Sequence, residues 1–374
     1  MGEYVTYREC GVEFYAPDLS KYIAGGRVEP AWAPVFYNPA MVNNRTISVM
    51  VVRGYLKENE DATLCEPFTG TGIRSLRYAV EAGVKKIIAG DIDDRAVELA
   101  KMNVDRLGLR GVVEVVRDDA NALIPRVRCD IIDIDPYGTP APYLQAALRY
   151  IKPNGLICAT ATDLAVLQGS YPDKAVRRYG FKPMRGPISR EVGLRGLLGF
   201  IAREALKNDR AIRPILAYWE GHYFRVCAVV DRGRGEARGN VRELGYAYLN
   251  PGSLERGFKR GYPYVRGVGN VELAGPIWIG PLGDLDFILN LNPLNDCERR
   301  AFEIIDALIN DLSPIPLYYL TSEVGRVIKH TPGLGRLISL LRGMGYEAYR
   351  THFSEVGFKT DAEPGVIIRL AKEA

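Results

Sequence analysis

An α/β fold built on an open, mainly parallel sheet, followed by a smaller α+β domain, is predicted by three features of this 374-residue sequence. Short apolar runs alternate with helix-period segments through its first half, the pattern of successive βαβ units. Four of those runs close on a carboxylate, at Glu66, Asp91, Asp119 and Asp135. One of them, Ile131-Ile132-Asp133-Ile134-Asp135-Pro136-Tyr137-Gly138, stops at a proline that has no N–H to extend a ladder. Ligands of open α/β sheets bind beyond the carboxyl ends of the strands, so Asp135 and Tyr137 are expected to face a pocket.

Composition bounds the alternatives. A hydrophobic content of 47% with 25% charged residues belongs to ordinary globular proteins. No stretch reaches the apolar length of a membrane span, and Met1-Gly2-Glu3-Tyr4 lacks a basic segment leading into an apolar one, so a cytoplasmic location is expected. The six cysteines are scattered without a close pair; they read as small buried hydrophobes, and neither a disulfide framework nor a metal site is expected. The net charge of +4 hides an asymmetry: from Pro172 to Arg266 there are 20 Lys and Arg against 9 Asp and Glu. A local excess of that size points to a polyanionic partner. Only two glutamines occur, Gln145 and Gln168, a composition that suits a heat-adapted protein.

Taken in order, residues 1–30 read as a hairpin extension, with alternation at Val12-Glu13-Phe14-Tyr15. Phe36-Tyr37-Asn38-Pro39 is a turn, and Asn44-Arg45 opens an apolar-periodic helix to Leu56. A cation at a helix start opposes the helix dipole, so Arg45 is expected to answer to a group outside its own helix. Ala62 to Glu66 is the first strand, Gly70-Thr71-Gly72 a glycine turn, and Ser75 to Ala82 a helix. Lys86 to Asp91 is the second strand, Arg95 to Leu107 a helix, and Val112 to Arg117 the third strand, leading to Asp119. After Asp135 come a helix (Tyr143 to Tyr150), a fifth strand (Gly155 to Asp163) that also ends polar, a helix near Arg190 to Leu206, and two strands (Ile215 to Trp219, Phe224 to Val230) that complete the sheet. The main domain is thus assigned to residues 31–231. Residues 232–374 form the α+β domain, introduced by a basic, glycine-containing loop over 232–266. Helices are expected there at Cys297 to Leu312 and Leu334 to Met344, and strands at Glu347 to Phe353 and Val366 to Leu370.

The glycine turn lacks the third glycine that a dinucleotide pyrophosphate calls for, since Ser75 stands there. Acidic strand ends suit S-adenosylmethionine better. Glu66 can accept from its ammonium group, Asp91, about twenty residues past the turn, from both ribose hydroxyls, and Asp119 from the adenine amine. Gly70 and Gly72 let the backbone approach the ligand.

These residues resemble a known family. Phe36-Tyr37-Asn38-Pro39, Asn44-Arg45, Gly70-Thr71-Gly72-Ile73-Arg74, Asp135-Pro136-Tyr137-Gly138-Thr139-Pro140-Ala141-Pro142, Ala161-Thr162-Asp163 and Arg350-Thr351-His352-Phe353 closely resemble the tRNA (guanine-26-N2)-dimethyltransferases, the Trm1 family. The resemblance implies a class I (Rossmann-like) S-adenosylmethionine-dependent methyltransferase domain and two successive methylations of one guanine amino group in tRNA. It also implies cofactor contacts at Arg45, Arg74, Asp91, Asp119 and Ala120, and a catalytic Asp135. Three departures stand out: Thr46 where the family usually has Asp, Gln168 where Cys is frequent, and no four-cysteine zinc site in the second domain.

The chemistry is consistent with such a site. Guanine N2 is a weak nucleophile because its lone pair is delocalised into the ring, so its two N–H bonds must be held by acceptors that aim the lone pair at a methyl donor. Asp135, with Pro136 and Tyr137 beside it, supplies the acceptor, and no strong base is needed because the proton becomes acidic only as the C–N bond forms. Tyr137 with Phe36 or Tyr37, next to Asn38, is expected to stack on an extruded base. Arg256, Lys259 and Arg260, or else Arg350 and His352, are the candidate RNA contacts. Competing readings are another exocyclic-amine methyltransferase of RNA or DNA, and a non-catalytic RNA-binding protein that retains a cofactor pocket.

Overall fold

The computed structural model describes residues 4–250, 252–265 and 271–374, so Arg266, the end of the basic stretch, lies outside the described residues. Packing gathers the chain into two compact units. The first runs to Thr160 and takes in Cys227–Val230 and Leu289–Glu303; the second comprises Ala161–Val226, Asp231–Ile288 and Ile304–Ala374. The expected boundary at residue 231 follows chain order, whereas this division follows contact, and nothing local in the sequence marks the return of residues 289–303.

In the first unit, strands β1 (Tyr4–Glu9) and β2 (Val12–Pro17) form the expected hairpin, with Glu9 opposite Val12. A two-residue ladder, β3 (Ile23–Ala24) with β4 (Arg27–Val28), follows. Helix α1 (Val42–Leu56) is buried on every side from Asn44 to Val52, so its polar residues Asn44, Arg45, Thr46 and Ser48 need partners inside the protein. Strands β5 (Thr63–Glu66), β6 (Lys86–Asp91), β7 (Val113–Arg117), β8 (Ile131–Ile134) and β9 (Gly155–Ala161) then alternate with helices α2 (Ile73–Arg77), α3 (Asp94–Arg106), α4 (Ala120–Val127) and α5 (Ala141–Tyr150). With β10 (Arg210–Glu220) and β11 (Tyr223–Arg232) they give a seven-stranded sheet of order β10-β11-β9-β8-β5-β6-β7.

Every residue of β8 and β9 is buried, as strands covered on both faces require. Cys65 of β5 lies between Ile88 of β6 and Ile132 of β8, all three strands parallel. From β5 the chain winds outward to β7, then returns to β8 on the other flank of β5. That reversal is the topological switch point of the sheet, and it sets Glu66, ending β5, near Asp135, just past β8.

Four cysteines correct the sequence reading. Cys10 and Cys297 are joined with 5.4 Å between their Cα atoms, and Cys158 of β9 is joined to Cys227 of β11 across 4.1 Å. Only Cys65 and Cys129 are free, and both are buried. The partners lie 287 and 69 residues apart, so spacing could not reveal them.

The second unit contains α6 (Leu164–Leu167), α7 (Pro172–Tyr179), α8 (Ser189–Leu206), α9 (Arg234–Arg242) and α10 (Leu285–Leu289). Its antiparallel sheet β13-β12-β14 is built from β12 (Leu244–Leu249), β13 (Arg256–Arg260) and β14 (Glu272–Trp278). The segment expected as a loop over 232–266 therefore carries a helix and two strands; Gly235, Gly239, Gly245 and Gly257 sit within those elements, and Gly233, Gly252 and Gly261 lie outside them. After α11 (Asp296–Ile309), strands β15 (Tyr319–Leu320), β16 (Ala348–Arg350) and β17 (Gly357–Thr360) form a sheet of order β15-β17-β16 with helices α12 (Thr321–Ile328), α13 (Leu334–Gly343) and α14 (Pro364–Ala371). The expected strand at Val366 to Leu370 is instead part of α14. Pro364 starts a helix well because its missing N–H is not needed there, and Ile367, Leu370 and Ala371 share the face that enters the core beside Leu337 and Phe358.

An ionic cluster lies inside this unit. Lys359 Nζ contacts Glu191 Oε1 at 3.1 Å and Asp311 Oδ1 at 3.3 Å, and Arg195 Nε reaches the same Glu191 oxygen at 3.0 Å. No helix among the described residues is long and apolar enough to cross a membrane.

Candidate active site

The centre of the site is Arg74, on the first turn after the glycine loop. Its Nη2 donates to Asp135 and, at 2.9 Å, to Asn44 Oδ1; its Nη1 lies 3.2 Å from Ser48 Oγ and 3.4 Å from Asp133, and its Nε 3.7 Å from Glu66. One buried guanidinium thus serves three carboxylates. That excess of negative charge cannot be ionised in full away from water, and burial pushes Glu66 up to about 8, with Asp133 and Asp135 adding to the push against the opposing pull of Arg74 and Ser75. Tyr78 donates to the buried Asp133, which fixes that carboxylate behind the site rather than in it.

The glycine turn is shaped by two left-handed residues, Gly70 (φ +52°) and Gly72 (φ +84°). A Cβ on Gly70 would stand 3.1 Å from the carbonyl oxygen of Phe36, and one on Gly72 3.3 Å from Ala100 Cβ, so both positions require glycine for backbone angle and room. The Gly70 N–H donates to Asp91 Oδ2 (2.9 Å) and the Asp93 N–H to Asp91 Oδ1 (3.1 Å), which orients the Asp91 carboxylate while leaving each oxygen a further lone pair. Burial raises the Asp91 carboxyl above its ordinary range, and those backbone donors oppose the rise. Asp119 caps α4 through Oδ1, accepting from Asn121 at 2.9 Å and Ala122 at 3.3 Å; Ala120 behind it is buried.

These residues fit S-adenosylmethionine. Its sulfonium and ammonium are cations, and the site holds more carboxylate than guanidinium. The fit is sharpened by Asn44, whose side chain is wholly buried: with its oxygen taken by Arg74, its Nδ2 has no partner, a buried donor suited to a ligand oxygen. Asn44 was part of the quoted motif but was not singled out from the sequence. Nor was Glu9, which turns out to be the group that Arg45 answers. Arg45 donates Nε (2.9 Å) and Nη2 to the Glu9 carboxylate and Nη2 to the Asn38 carbonyl (3.0 Å), so the cofactor contact expected of Arg45 has to be made with what that pairing leaves. Thr46, at the departing position, accepts from Arg77 Nη2 at 3.0 Å, while Glu9 and Glu81 supply the charges that neutralise Arg77.

On the open side, Tyr137 is 78% exposed and Phe36 44%, with ring centroids 5.7 Å apart in an edge-to-face arrangement. Pro136, next to Tyr137 in the chain, is buried. Tyr37 corrects the expectation of a stacking role: it is buried, its hydroxyl donates to Glu9 at 2.9 Å, and burial with that carboxylate drives its ionisation far above the usual range. Asn38 caps the turn after it, accepting from the Ala40 N–H at 3.0 Å.

The RNA candidates divide by burial. Arg256 is buried, pairs with Glu323 (2.9 Å) and donates to the Tyr318 carbonyl (2.6 Å), so it holds the second unit together and is no surface phosphate ligand. His352 is likewise internal: Nδ1 meets Asp311 at 2.6 Å and Nε2 accepts from the Trp219 N–H at 3.2 Å. Both ring nitrogens are thus engaged inside the protein. Lys259 is half-buried, while Arg260 and Arg350 are exposed.

Sheet order and the carboxylates at its strand ends define a class I methyltransferase, and comparison with known proteins agrees. Residues 21–372 match the family described as N2,N2-dimethylguanosine tRNA methyltransferase, and the chain belongs to it. It is 43% identical to the tRNA (guanine(26)-N(2))-dimethyltransferase of Pyrobaculum aerophilum, over 100% of this chain and 97% of that protein. It is 38% identical to the protein of that name in Aeropyrum pernix, over 95% and 93% of the two chains. The solved complex of Trm1 from Pyrococcus horikoshii with S-adenosylmethionine superposes with a TM-score of 0.85 at 33% identity, covering 98% of this chain and 99% of that one.

Proposed function

We propose that this chain transfers methyl groups from S-adenosylmethionine to the exocyclic N2 of guanine 26 in tRNA, giving N2-methyl- and then N2,N2-dimethylguanosine. The observation that carries the reading is the carboxylate of Asp135, held by Arg74 at the switch point of the sheet behind the exposed pair Phe36 and Tyr137. When bound, the donor supplies an electrophilic methyl group. Glu66 and Asn44 hold its amino-acid end, Asp91 its ribose, and Asp119 with Ala120 its adenine. Phe36 and Tyr137 take the base between or against their rings, and Asp135 accepts from N2 and receives its proton as positive charge grows there. A cytoplasmic location belongs to the same proposal.

Mass spectrometry of nucleosides from tRNA incubated with the protein and donor tests this reading. N2-methylated guanosine at position 26 is expected. Methylated adenosine, methylation only of DNA or ribosomal RNA, or tRNA bound without any product would overturn it.

Glu66 gives the cofactor site a pH signature. Its carboxyl, raised to about 8, is mainly protonated at pH 6, yet pairing with an ammonium requires the carboxylate. An α-ammonium keeps its charge from pH 6 to 7, so donor affinity should rise by about tenfold over that unit, with a proton released on binding. Calorimetry in buffers of different ionisation heat measures both, and Glu66→Gln should abolish the dependence. A flat profile in the parent would place the ammonium elsewhere.

A further inference from the structure

The second unit contains a polar cavity of about 460 Å³, where the first turns of α8 and α12 meet the segment ending β15. Its volume is in the range of pockets that hold a nucleotide. Its walls include Gln168, Ser189, Arg190, Tyr318, Ser322 and Arg326. Arg190 is held firmly, its guanidinium 4.0 Å over the Trp219 ring and its Nη1 donating to the Phe353 carbonyl at 2.6 Å, which leaves the rest of the fork for a ligand. Arg326 is exposed on α12. The carboxylate in the wall, Glu323, has both oxygens on Arg256, at 2.9 and 3.2 Å, so its charge is already answered. What remains is two guanidinium groups, serine hydroxyls and a carboxamide, a set suited to phosphate oxygens and base edges. Ser189 and Arg190 are also the first residues of α8, which has no side-chain cap, so the positive end of that helix adds to the field. Part of its wall, Gly186, Pro187, Ser189 and Arg190, belongs to the stretch from Pro172 to Arg266 in which Lys and Arg outnumber Asp and Glu, 20 to 9.

We propose that this cavity is a second nucleotide-binding site, taking a phosphodiester-linked nucleotide of the tRNA other than the guanine that is methylated. The proposal rests on the tRNA reading of the function. Its bidentate forks grip a phosphate group, and Gln168 and the serines contact the attached sugar or base.

The test is filter binding of tRNA across a salt series with the full chain. Arg326→Glu should weaken tRNA binding at least tenfold and lower the slope of log affinity against log salt by about one, with donor affinity unchanged. Arg190→Gln should do the same to a lesser degree. Arg336→Glu, an equal charge reversal on the exposed face of α13, should cost less than threefold. Arg326→Glu binding within twofold of the parent, or Arg336→Glu matching it, would overturn the proposal while leaving the methylation reading intact. A thermal shift with AMP that the parent shows and Arg326→Glu loses, at unchanged tRNA affinity, would assign the cavity to a free nucleotide and overturn the RNA assignment. A parent that neither binds nor methylates tRNA would fail the functional reading first, and this proposal with it.

Discussion

Asp135→Asn should retain its fold and donor affinity yet lose methyl transfer by at least ~100-fold, the low end for a positioned acid–base group. Asn is nearly isosteric, so buried Pro136 and the end of β8 keep their places. Arg74 decides which way the new carboxamide points. Its Nη2 donates to the Asp135 carboxylate, so the Asn oxygen must stay toward the guanidinium and its NH2 group must turn toward the substrate. A donor then meets the guanine amine, also a donor, and the acceptor for the charge that develops at N2 is gone. Single-turnover transfer from labelled donor to tRNA at saturating protein, alongside donor binding by the same variant, measures the effect. Near-parental turnover would remove Asp135 from catalysis. Asp133 could not inherit the role from its position under Tyr78, and Asp163 is engaged by Arg178 (2.6 Å) and the Tyr179 hydroxyl (2.7 Å).

Lys359→Met should destabilise the protein by about 3–5 kcal/mol, the usual result of removing one partner from a buried ionic cluster. The side chain of Lys359 is 1% exposed and lies between Asp311 and Glu191, themselves buried. Methionine fills the volume but leaves two carboxylates without their shared cation. The loss should depend on pH in a definite direction. Burial would raise the Asp311 carboxyl, but Lys359 and His352 outweigh it and hold the group well below the ordinary carboxylate range. A depressed folded-state pKa contributes stability above the unfolded value of about 3.9 and loses it as pH falls through the folded one. The gap between parent and variant should therefore be widest near neutral pH and narrow below about pH 4. Urea unfolding at several pH values reads it out, and adding Asp311→Asn to the variant should recover part of the loss. A deficit under 1 kcal/mol at neutral pH would mean that water reaches the cluster.

Much of the active site is legible in the sequence. Glu66, Asp91, Asp119 and Asp135 are each the last polar group after a short apolar run, and Gly70 and Gly72 mark the turn between the first strand and its helix. These are relations within a few residues, and backbone geometry ties such spacing directly to strand ends and helix starts. The same locality explains the error at Val366 to Leu370, where β-branched residues suggested a strand; the starting proline and the packing of one face decided for a helix.

By itself the sequence determined the order of strands and helices in the first unit, the acidic strand ends and the class of ligand; that Phe36 rather than Tyr37 stands beside Tyr137 came only with the fold. Only the tertiary structure decided which charges are spent. Glu9 reaches Arg45 from 36 residues away, Arg256 finds Glu323 across 67, and His352 finds Asp311 across 41. A linear sequence counts Arg256 and His352 as cationic candidates for RNA, because composition records charge but not burial. Folding pairs them inside the protein, where desolvation makes a partner obligatory, and leaves Arg190 and Arg326 at a cavity that no local pattern announced.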